Sequence, residues 1–506
     1  MREFVEGKVG KNPGKTFLCF QEQEITYGDF DANTNRVANG LVHLGVKKGD
    51  KVGLMLSNCP EFLYSWLGLN KIGAVMVPIN TAFKGPETKY VLNHSEANTL
   101  IVDSLLWEAI RGIRGECASL ERVVCLGEQS AHDCISFAEL CRGASPDLPE
   151  VQVAADDIAS IIYTSGTTGP PKGVVQTQRS YILVGEAFLK RAPVGSQDRM
   201  LICLPLFHIN AQFYSTMGCL AAGASLILLD RFSASKFWEQ TRYYQATQFN
   251  LIGVVGKILY NQPETDRDVD NPVRIVNSGG MPKDITEEFE QRFGLMVIEG
   301  YGLTECPLVC QNPFDGIRKS GSIGLPAKHP EPEVKFTEMR VVDEDNQELP
   351  AGKIGELVVR SPVMMKGYLK DEEKTVQVMG NGWLHTGDYA YMDEDGYFYF
   401  VERKKDIMRR RGEMVSPTEV EGVINQHPKV EMSAVIPILA ELGEDDIKAY
   451  VVVKGGEELT AEEIVNWCRE RLAYFKVPEY IEFRGELPKT QSEKIAKHLL
   501  KQERQV

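Results

Sequence analysis

The sequence predicts an α/β protein: a large N-terminal part of mostly parallel sheets covered by helices, then a small α+β part. Short, nearly continuous aliphatic runs alternate with segments of helical periodicity up to about residue 300. After about residue 320 the predicted strands are separated by turn residues, as in DEDG at 393–396. Two helix-start patterns lie beside strand-like runs after residue 408.

The predicted parallel strands are five to eight residues long and rich in valine, isoleucine and leucine. Strands in a parallel sheet are buried on both faces, so an unbroken apolar run is expected rather than an alternating one. The runs are KVGLML (51–56), TLIVD (99–103), RVVCLG (122–127), IASIIYT (158–164), SLILLD (225–230), VRIVNSGG (273–280) and LMVIEGYG (295–302).

Helix-start signals define the C-terminal part. In SPTE, Ser416 is the expected N-cap, Pro417 the first helical residue and Glu419 the third member of a capping box, which starts a helix running toward His427. TAEE repeats this pattern at 460–463, and SAVIPIL and IKAYVVVK are predicted strands between the two helices. We expect the boundary of this part in the charged stretch 402–413.

The composition restricts the function. The 506 residues carry a formal net charge of −15, which disfavours non-specific binding to nucleic acid or to anionic membranes. The sequence contains neither a secretory leader nor an apolar run of about 18 residues, so a cytoplasmic location is expected. The 11 cysteines are scattered, as reduced thiols would be. Cys306 and Cys310 have helical spacing and are predicted to share a buried face rather than to bind zinc.

YTSGTTGPPKG at 163–173 follows a predicted strand and has the composition of a phosphate-binding loop. Glycines allow the backbone to approach phosphate oxygens, Ser165, Thr167 and Thr168 offer hydroxyl donors, and Lys172 offers a positive charge. The spacing differs from a Walker A loop, since two prolines precede the lysine and a glycine follows it. On composition alone, a flexible surface loop remains an alternative.

This stretch resembles the phosphate loop of the adenylate-forming enzymes, a superfamily of acyl-CoA synthetases, peptide-synthetase adenylation domains and luciferase-like proteins. The resemblance continues, in order, through PLFHINA (205–211), NSGGMP (277–282), YGLTE (301–305), GWLHTGD (382–388), ERKKDIMRRRGEMVSPTEVE (402–421) and LPKTQSEKI (487–495). Within the superfamily, the segments most similar to the crotonobetaine/carnitine-CoA ligase branch are 58–80, 249–263 and 475–483.

The resemblance implies an adenylation domain over residues 1–402 that includes a small barrel-like part, a hinge at 403–407 and a small mobile C-terminal domain at 408–506. It also implies an ATP-dependent acyl-CoA ligase. A carboxylic acid would react with ATP to give acyl-AMP and pyrophosphate, and coenzyme A would then give acyl-CoA and AMP. The expected partners are a small carboxylic acid, ATP, Mg²⁺ and coenzyme A, without nucleic acid or a membrane span.

The family's nucleotide-binding residues can be carried over position by position. Residues matching the phosphate loop are Thr164, Ser165, Gly166, Thr167, Thr168 and Lys172, and those matching the segment along the adenine are Gly280, Met281 and Pro282. Tyr301 would stack on the adenine, Thr304 would contact the α-phosphate, and Glu305 with Thr164 would hold Mg²⁺. Asp388 and Arg403 match residues that bind the ribose hydroxyls.

The remaining matches concern the acid and the second half-reaction. His208 matches a histidine beside the acyl pocket, and Lys494 matches the lysine that bridges the attacking carboxylate and the α-phosphate. Here the family's usual Ser-Gly-Lys is Ser-Glu-Lys, which places Glu493 beside the cation and puts the geometry or rate of adenylation in doubt. Asp406 matches the hinge.

Coenzyme A is expected to approach the C-terminal part. Gly412 lies on the face that would admit the pantetheine thiol, and Arg409, Arg410 and Arg411 would suit the phosphates of coenzyme A. A solvated charge run is an equal alternative for each of these arginines.

Two other activities remain open from the sequence: an adenylation enzyme that loads a carrier protein, and a luciferase-like or non-catalytic relative. The acid and the oligomeric state also remain open. A carnitine-like acid would require an acidic or aromatic group near its ammonium, whereas an aliphatic or cyclic acid would require an apolar pocket.

Overall fold

The structure is a computed structural model of the chain. It describes all residues except 128–133, 165–170, 405, 407, 411–412, 440–444, 473, 490–494 and 503–506. The chain divides into two compact units. The first contains Met1–Met339 and Val359–Leu384, and the second contains Arg340–Val358 and His385–Val506. No helix within the described ranges is long and apolar enough to span a membrane.

The strands alternate with helices through most of the chain. In chain order they are β1 (Thr16–Phe20), β2 (Gln23–Thr26), β3 (Lys51–Met55), β4 (Val75–Pro78), β5 (Thr99–Asp103), β6 (Arg122–Leu126), β7 (Ile135–Ser136), β8 (Ile158–Thr164), β9 (Lys172–Thr177), β10 (Arg199–Ile202), β11 (Ser225–Leu228), β12 (Gln248–Ile252), β13 (Ile275–Gly279), β14 (Met296–Leu303), β15 (Cys306–Gln311), β16 (Leu325–Pro326), β17 (Glu338–Val342), β18 (Gly355–Arg360), β19 (Gly367–Tyr368), β20 (Leu384–Met392), β21 (Phe398–Arg403), β22 (Met408–Arg410), β23 (Glu413–Val415), β24 (Val430–Leu439), β25 (Asp445–Val453) and β26 (Tyr480–Phe483).

Most of the helices have a strand as the preceding element in the chain, as expected for an α/β protein. In chain order they are α1 (Arg2–Val9), α2 (Tyr27–His43), α3 (Pro60–Lys71), α4 (Gly85–Ser95), α5 (Ser104–Ile110), α6 (Phe137–Cys141), α7 (Gln178–Arg191), α8 (Met217–Ala222), α9 (Phe237–Tyr243), α10 (Gly253–Tyr260), α11 (Lys283–Phe293), α12 (Glu372–Val378), α13 (Pro417–Asn425), α14 (Ala461–Arg469) and α15 (Lys497–Gln502). Short 3-10 turns cover Arg111–Glu116, Gly380–Gly382 and Tyr474–Lys476, and a π-helix covers Asn210–Thr216.

A nine-stranded sheet in the first unit has the order β16-β15-β14-β13-β12-β10-β11-β1-β2. Its central strands are parallel, and antiparallel strands close both edges. On one face, aromatic side chains of α9 and α11 pack against apolar residues of β12 and β13, among them Trp238, Phe249 and Phe293. This burial orders the carboxyl ends of β13 and β14, where NSGGMP and YGLTE lie.

The first unit also contains an eight-stranded sheet of order β19-β9-β8-β4-β3-β5-β6-β7. Strands β8, β4, β3, β5, β6 and β7 run parallel, while β9 and β19 add antiparallel strands at one edge. The predicted phosphate loop therefore connects two strands of an antiparallel hairpin, β8 and β9. The predicted parallel sheets are confirmed, with these antiparallel edges added.

Strands β17, β18, β20 and β21 form a four-stranded sheet in the part of the chain where the strand pattern changes after about residue 320. The turn predicted at 393–396 joins β20 and β21 as an antiparallel hairpin. The C-terminal strands β24, β25 and β26 form a three-stranded sheet against which α13 and α14 pack, so the small α+β part is confirmed. The predicted boundaries at 402/403 and 407/408 stay predictions.

Two local predictions need correction. Cys306 and Cys310 are buried as expected, but they lie on strand β15, where residues four apart also share a face. Ser416 caps α13 by accepting from Glu419 N, and α13 runs toward His427 as far as Asn425, but the Glu419 carboxylate pairs with Lys476. Thr460 and Glu463 form the complete capping box at α14.

Candidate active site

The hairpin of β8 and β9 positions the predicted phosphate loop. Thr164 and Lys172 are register partners at its loop end, and both side chains are half-buried. Ser165, Gly166, Thr167 and Thr168 lie outside the described residues. The base of the loop is anchored on α4, because the Tyr90 hydroxyl donates to the carbonyl of Pro171 at 2.9 Å.

Glu305 reaches the same hairpin through Tyr368. The Tyr368 hydroxyl donates to Glu305 Oε1 at 2.8 Å, and Lys172 Nζ lies 5.1 Å from the centre of the Tyr368 ring. Burial and the Glu305 carboxylate raise the pKa of Tyr368, so the phenol remains a donor at neutral pH. The backbone agrees with this arrangement, since Met365 N donates to the Glu305 carbonyl at 2.7 Å. The structure thus brings Thr164, Lys172 and Glu305 together.

Thr304 is tied to strand β9. The fully buried Gln176 side chain donates from Nε2 to the Thr304 carbonyl at 2.8 Å. The strand that follows the phosphate loop and the turn that carries Thr304 and Glu305 are therefore connected directly. A buried carbonyl left without a donor would cost about 1–3 kcal/mol, so this bond favours one position of the turn.

The segment matched to the adenine lies between β13 and α11. Gly280 has φ of +84°, a conformation that favours glycine, and Pro282 is the N-cap of α11. The carboxylate of Glu299 accepts from the backbone N–H groups of Gly280 and Met281. Burial raises the pKa of Glu299, while the two N–H donors oppose that shift. Tyr301 lies two residues further along β14 and is half-buried.

His208 lies in the connection before the π-helix, and it is exposed with its ring 4.6 Å from that of Phe207. The preceding segment is held by Asn58, which is 7% exposed. Its amide donates to the carbonyls of Leu204 and Leu229, and its oxygen accepts from Leu206 N. π-helical turns are rare and occur frequently at functional sites.

In the second unit, Asp388 on β20 and Arg403 on β21 are register partners. Arg403 Nε lies 3.0 Å from Asp388 Oδ1, the carboxylate is fully buried and the guanidinium is half exposed. The sequence places these residues fifteen positions apart, and the hairpin places them side by side. One acceptor and one donor thus lie together, as the resemblance expects for a diol ligand.

The residues expected at the hinge and around coenzyme A are only partly described. Asp406 forms an ion pair with Lys501 of α15 at 2.9 Å. Arg410 is 6% exposed, donates to the Val477 carbonyl at 2.7 Å and pairs with Glu479. To contact a phosphate of coenzyme A, Arg410 would have to leave these partners. Gly412 and Lys494 lie outside the described residues.

Three residues of this arrangement were missed by the sequence analysis: Gln176, Glu299 and Tyr368. Gln176 lies only three residues beyond the phosphate motif, and Glu299 lies two residues before YGLTE. Each extends a motif by a short distance, so longer motif windows would have included both. Tyr368 follows a glycine in MMKGYL, a stretch that carries no distinctive pattern of its own.

Comparison with known proteins shows the family of the chain. The family model for AMP-binding enzymes matches residues 5–369, and the model for the AMP-binding enzyme C-terminal domain matches residues 419–494. A crotonobetaine/carnitine–CoA ligase from Salmonella typhi is 36% identical over 99% of this chain and 98% of its own length.

Solved structures of similar proteins cover nearly the whole chain. An anthranilate CoA ligase in complex with anthranoyl-AMP has a TM-score of 0.90 at 30% identity, over 99% of this chain and 96% of that chain. ATP-bound MatB from Rhodopseudomonas palustris has a TM-score of 0.90 at 27% identity, over 99% of this chain and 98% of that chain.

Proposed function

The chain belongs to the AMP-binding enzyme family as an AMP-forming acyl-CoA ligase, and from this premise we propose that the residues around Glu305 carry its first half-reaction. In that step a carboxylic acid and ATP give acyl-AMP and pyrophosphate; in the second, coenzyme A gives the thioester and AMP. The observation that carries the proposal is the connection from Lys172 through Tyr368 to Glu305.

The donor set at this place suits Mg²⁺. Glu305 offers carboxylate oxygens and Thr164 a hydroxyl, and Mg²⁺ commonly uses one or two protein oxygens together with substrate phosphates and water. Tyr368 binds one oxygen of Glu305 and leaves the other for a cation. When bound, Mg²⁺ neutralises charge on the phosphates of ATP.

Other side chains would bind ATP and orient the acid. Lys172 and the loop before it hold the β- and γ-phosphates, Tyr301 stacks on the adenine beside the backbone of Gly280 to Pro282, and Thr304 contacts the α-phosphate. Within the second unit, Asp388 and Arg403 bind the ribose hydroxyls. Lys494 bridges the acid and the α-phosphate, where one well-placed cation is worth about 100-fold or more in rate.

For the second half-reaction we assign the thiol approach to the face that carries Gly412, with Asp406 as the hinge residue. Arg410 contacts the phosphates of coenzyme A once its ion pair with Glu479 is broken. His208 lies beside the acid. A reducing compartment such as the cytoplasm suits this chemistry, because the eleven cysteines of the chain are free thiols and most of them are buried.

The test is to incubate the protein with ATP, Mg²⁺, coenzyme A and a mixed pool of short, aromatic, alicyclic, fatty and betaine-type acids. We expect AMP, pyrophosphate and one or more CoA thioesters, identified by mass spectrometry. Formation of AMP and pyrophosphate without a thioester would indicate that the acceptor is a carrier protein and not coenzyme A.

The Lys494→Ala variant separates the half-reactions. It should lower pyrophosphate exchange by about 100-fold or more, while thioester formation from supplied acyl-AMP continues. Lys489→Ala is the matched control, because it removes a lysine from the same C-terminal stretch and should change neither step. Equal loss of both steps in Lys494→Ala would contradict the assigned role.

A further inference from the structure

A row of amide side chains crosses one face of the nine-stranded sheet, close to the exposed residues Gly279 and Gly280 at the end of β13. Asn250 on β12 and Asn277 on β13 are register partners, and Ile298 on β14 is the next partner of Asn277. Gly300 follows Ile298 on the same face and pairs directly with Gln311 on β15. We call Asn250, Asn277 and Gln311 the amide row.

The polar atoms of the amide row are buried and largely unpartnered. Asn277 is 2% exposed, and neither its Oδ1 nor its Nδ2 has a hydrogen-bond partner among the described residues. Asn250 donates to Ser215 of the π-helix at 2.8 Å, but its Oδ1 accepts no hydrogen bond in the described part of the chain. The same holds for Oε1 of Gln311.

Arg191, the last residue of α7, lies over the same face. It is 4% exposed, and its Nη2 donates to the carbonyl of Ser278 at 2.8 Å, while its Nε has no described partner. A side chain at position 300 would collide with this guanidinium, since a Cβ there would be 2.7 Å from Nη2. Glycine at 300 therefore allows a buried cation beside the amide row.

The end of β13 beyond Asn277 is exposed and has free space beside it. Gly279 lies on the same face as Asn277 and is exposed. A Cβ built on Gly279 would have the carbonyl oxygen of Gly300, at 3.9 Å, as its nearest described neighbour. Gly279 adjoins Gly280, to which the proposed function assigns the adenine, so the acid would be activated near this end of β13.

Buried amides are normally hydrogen-bonded, and each unpartnered one requires an explanation such as water or a ligand. Oδ1 of Asn250, Oδ1 of Asn277 and Oε1 of Gln311 are unpartnered acceptors, whereas Nδ2 of Asn277 and Nε of Arg191 are unpartnered donors among the described residues. From this we infer that the acid substrate carries a group that both donates and accepts hydrogen bonds, a primary carboxamide, at the end far from the reacting carboxyl, and that Asn277 with Arg191 recognises it. This inference rests on the proposed function.

The inferred acid class differs from the two classes weighed from the sequence. A purely aliphatic or cyclic end would leave the amide of Asn277 and Oε1 of Gln311 without partners. A quaternary ammonium end would be repelled by the Arg191 cation. The Tyr214 ring, which could bind an ammonium by a cation–π contact, already lies 5.8 Å from the Arg191 guanidinium. A carboxamide offers its oxygen to the Asn277 donor and the Arg191 cation, and its NH2 group to the unpartnered amide oxygens.

The test measures ATP–pyrophosphate exchange with acids that differ at the far end alone. One series is hexanoate, its ω-carboxy and ω-carboxamide analogues, and γ-butyrobetaine; a second series places the same four ends on the para position of benzoate. In at least one series, we expect kcat/KM for the carboxamide member to exceed that for the methyl member by about 100-fold, because a site built for hydrogen bonds rejects analogues that lack them.

The Asn277→Leu variant should reduce that preference to less than about 10-fold, mainly by lowering kcat/KM for the carboxamide member. Gln248→Leu is the matched control and should keep the preference. Gln248 is fully buried on the same face of β12 as Asn250, but it pairs with Ile275 and lies two positions further from Gly279. A wild-type preference for methyl, carboxy or trimethylammonium ends, or an unchanged preference in Asn277→Leu, would overturn the inference alone. Exchange with no acid of either series would overturn the proposed function.

Discussion

The turn around Glu305 and the amide row lie in the same unit, yet their buried polar groups are bonded differently. Around Glu305, the carbonyl of Thr304 has Gln176, the carboxylate has Tyr368, and the base of the phosphate loop has Tyr90. In the amide row, Asn277 has no described partner. A region that binds a constant reactant such as ATP gains from groups fixed in advance, whereas a region that selects an acid needs groups left for the ligand.

The largest effect on this comparison is expected for Glu305→Gln. The amide keeps the shape and can still accept from Tyr368, but it lacks the charge that a hard cation requires. We expect a loss on the order of 100-fold in pyrophosphate exchange and a raised Mg²⁺ requirement, measured by titrating Mg²⁺ at fixed ATP. The exposed Glu116, paired with Lys89 at 2.7 Å, offers Glu116→Gln as a control that should behave as the wild type. Unchanged kinetics would remove Glu305 from the metal site.

Gln176→Leu tests whether the turn is fixed in advance. It leaves the Thr304 carbonyl without a donor in the interior, so the free energy of unfolding should fall by about 1–3 kcal/mol. Exchange should fall by about 10-fold, mainly in kcat with a smaller change in KM for ATP, because an oriented contact is lost. Chemical denaturation and exchange kinetics measure the two effects. A loss of stability with normal kinetics would mean that the bond supports the fold without positioning Thr304.

Tyr368→Phe sharpens the same point with a smaller change. The ring beneath Lys172 is kept, while the hydroxyl that donates to Glu305 is lost. One such hydrogen bond is worth about 1 kcal/mol, so we expect roughly a fivefold rise in the Mg²⁺ concentration for half-maximal exchange. Tighter Mg²⁺ binding in this variant would show that the phenol competes with the cation instead of orienting the carboxylate.

The smallest effect is expected for the stability of Asn277→Leu without substrate. Replacing an unpartnered buried amide by an apolar side chain of similar size should leave the free energy of unfolding within about 1 kcal/mol of the wild type, or raise it. Measured beside Gln176→Leu under the same denaturant conditions, it compares an amide without a described partner with one whose Nε2 donates to the Thr304 carbonyl. A loss above about 2 kcal/mol would show that ordered water already satisfies Asn277.

Much of the fold and part of the candidate site followed from local sequence patterns. Aliphatic runs predicted the parallel strands, and a serine or threonine before an acidic residue predicted the starts of α13 and α14. The motifs also identified Thr164, Lys172 and Glu305, because each lies within a short segment of recognisable composition. These signals are local, since strand burial and helix capping depend on residues a few positions apart.

The partners of those residues came from the packed structure. Tyr368 is 63 positions from Glu305 and Gln176 is 128 positions from Thr304, and neither distance leaves a trace in periodicity or composition. The difference between a satisfied Gln212, which bonds Tyr181 and Leu206, and an unpartnered Asn277 is likewise invisible in the sequence. Which polar atom meets a partner depends on how strands and helices distant in the chain pack together, and that packing decides where a ligand is still needed.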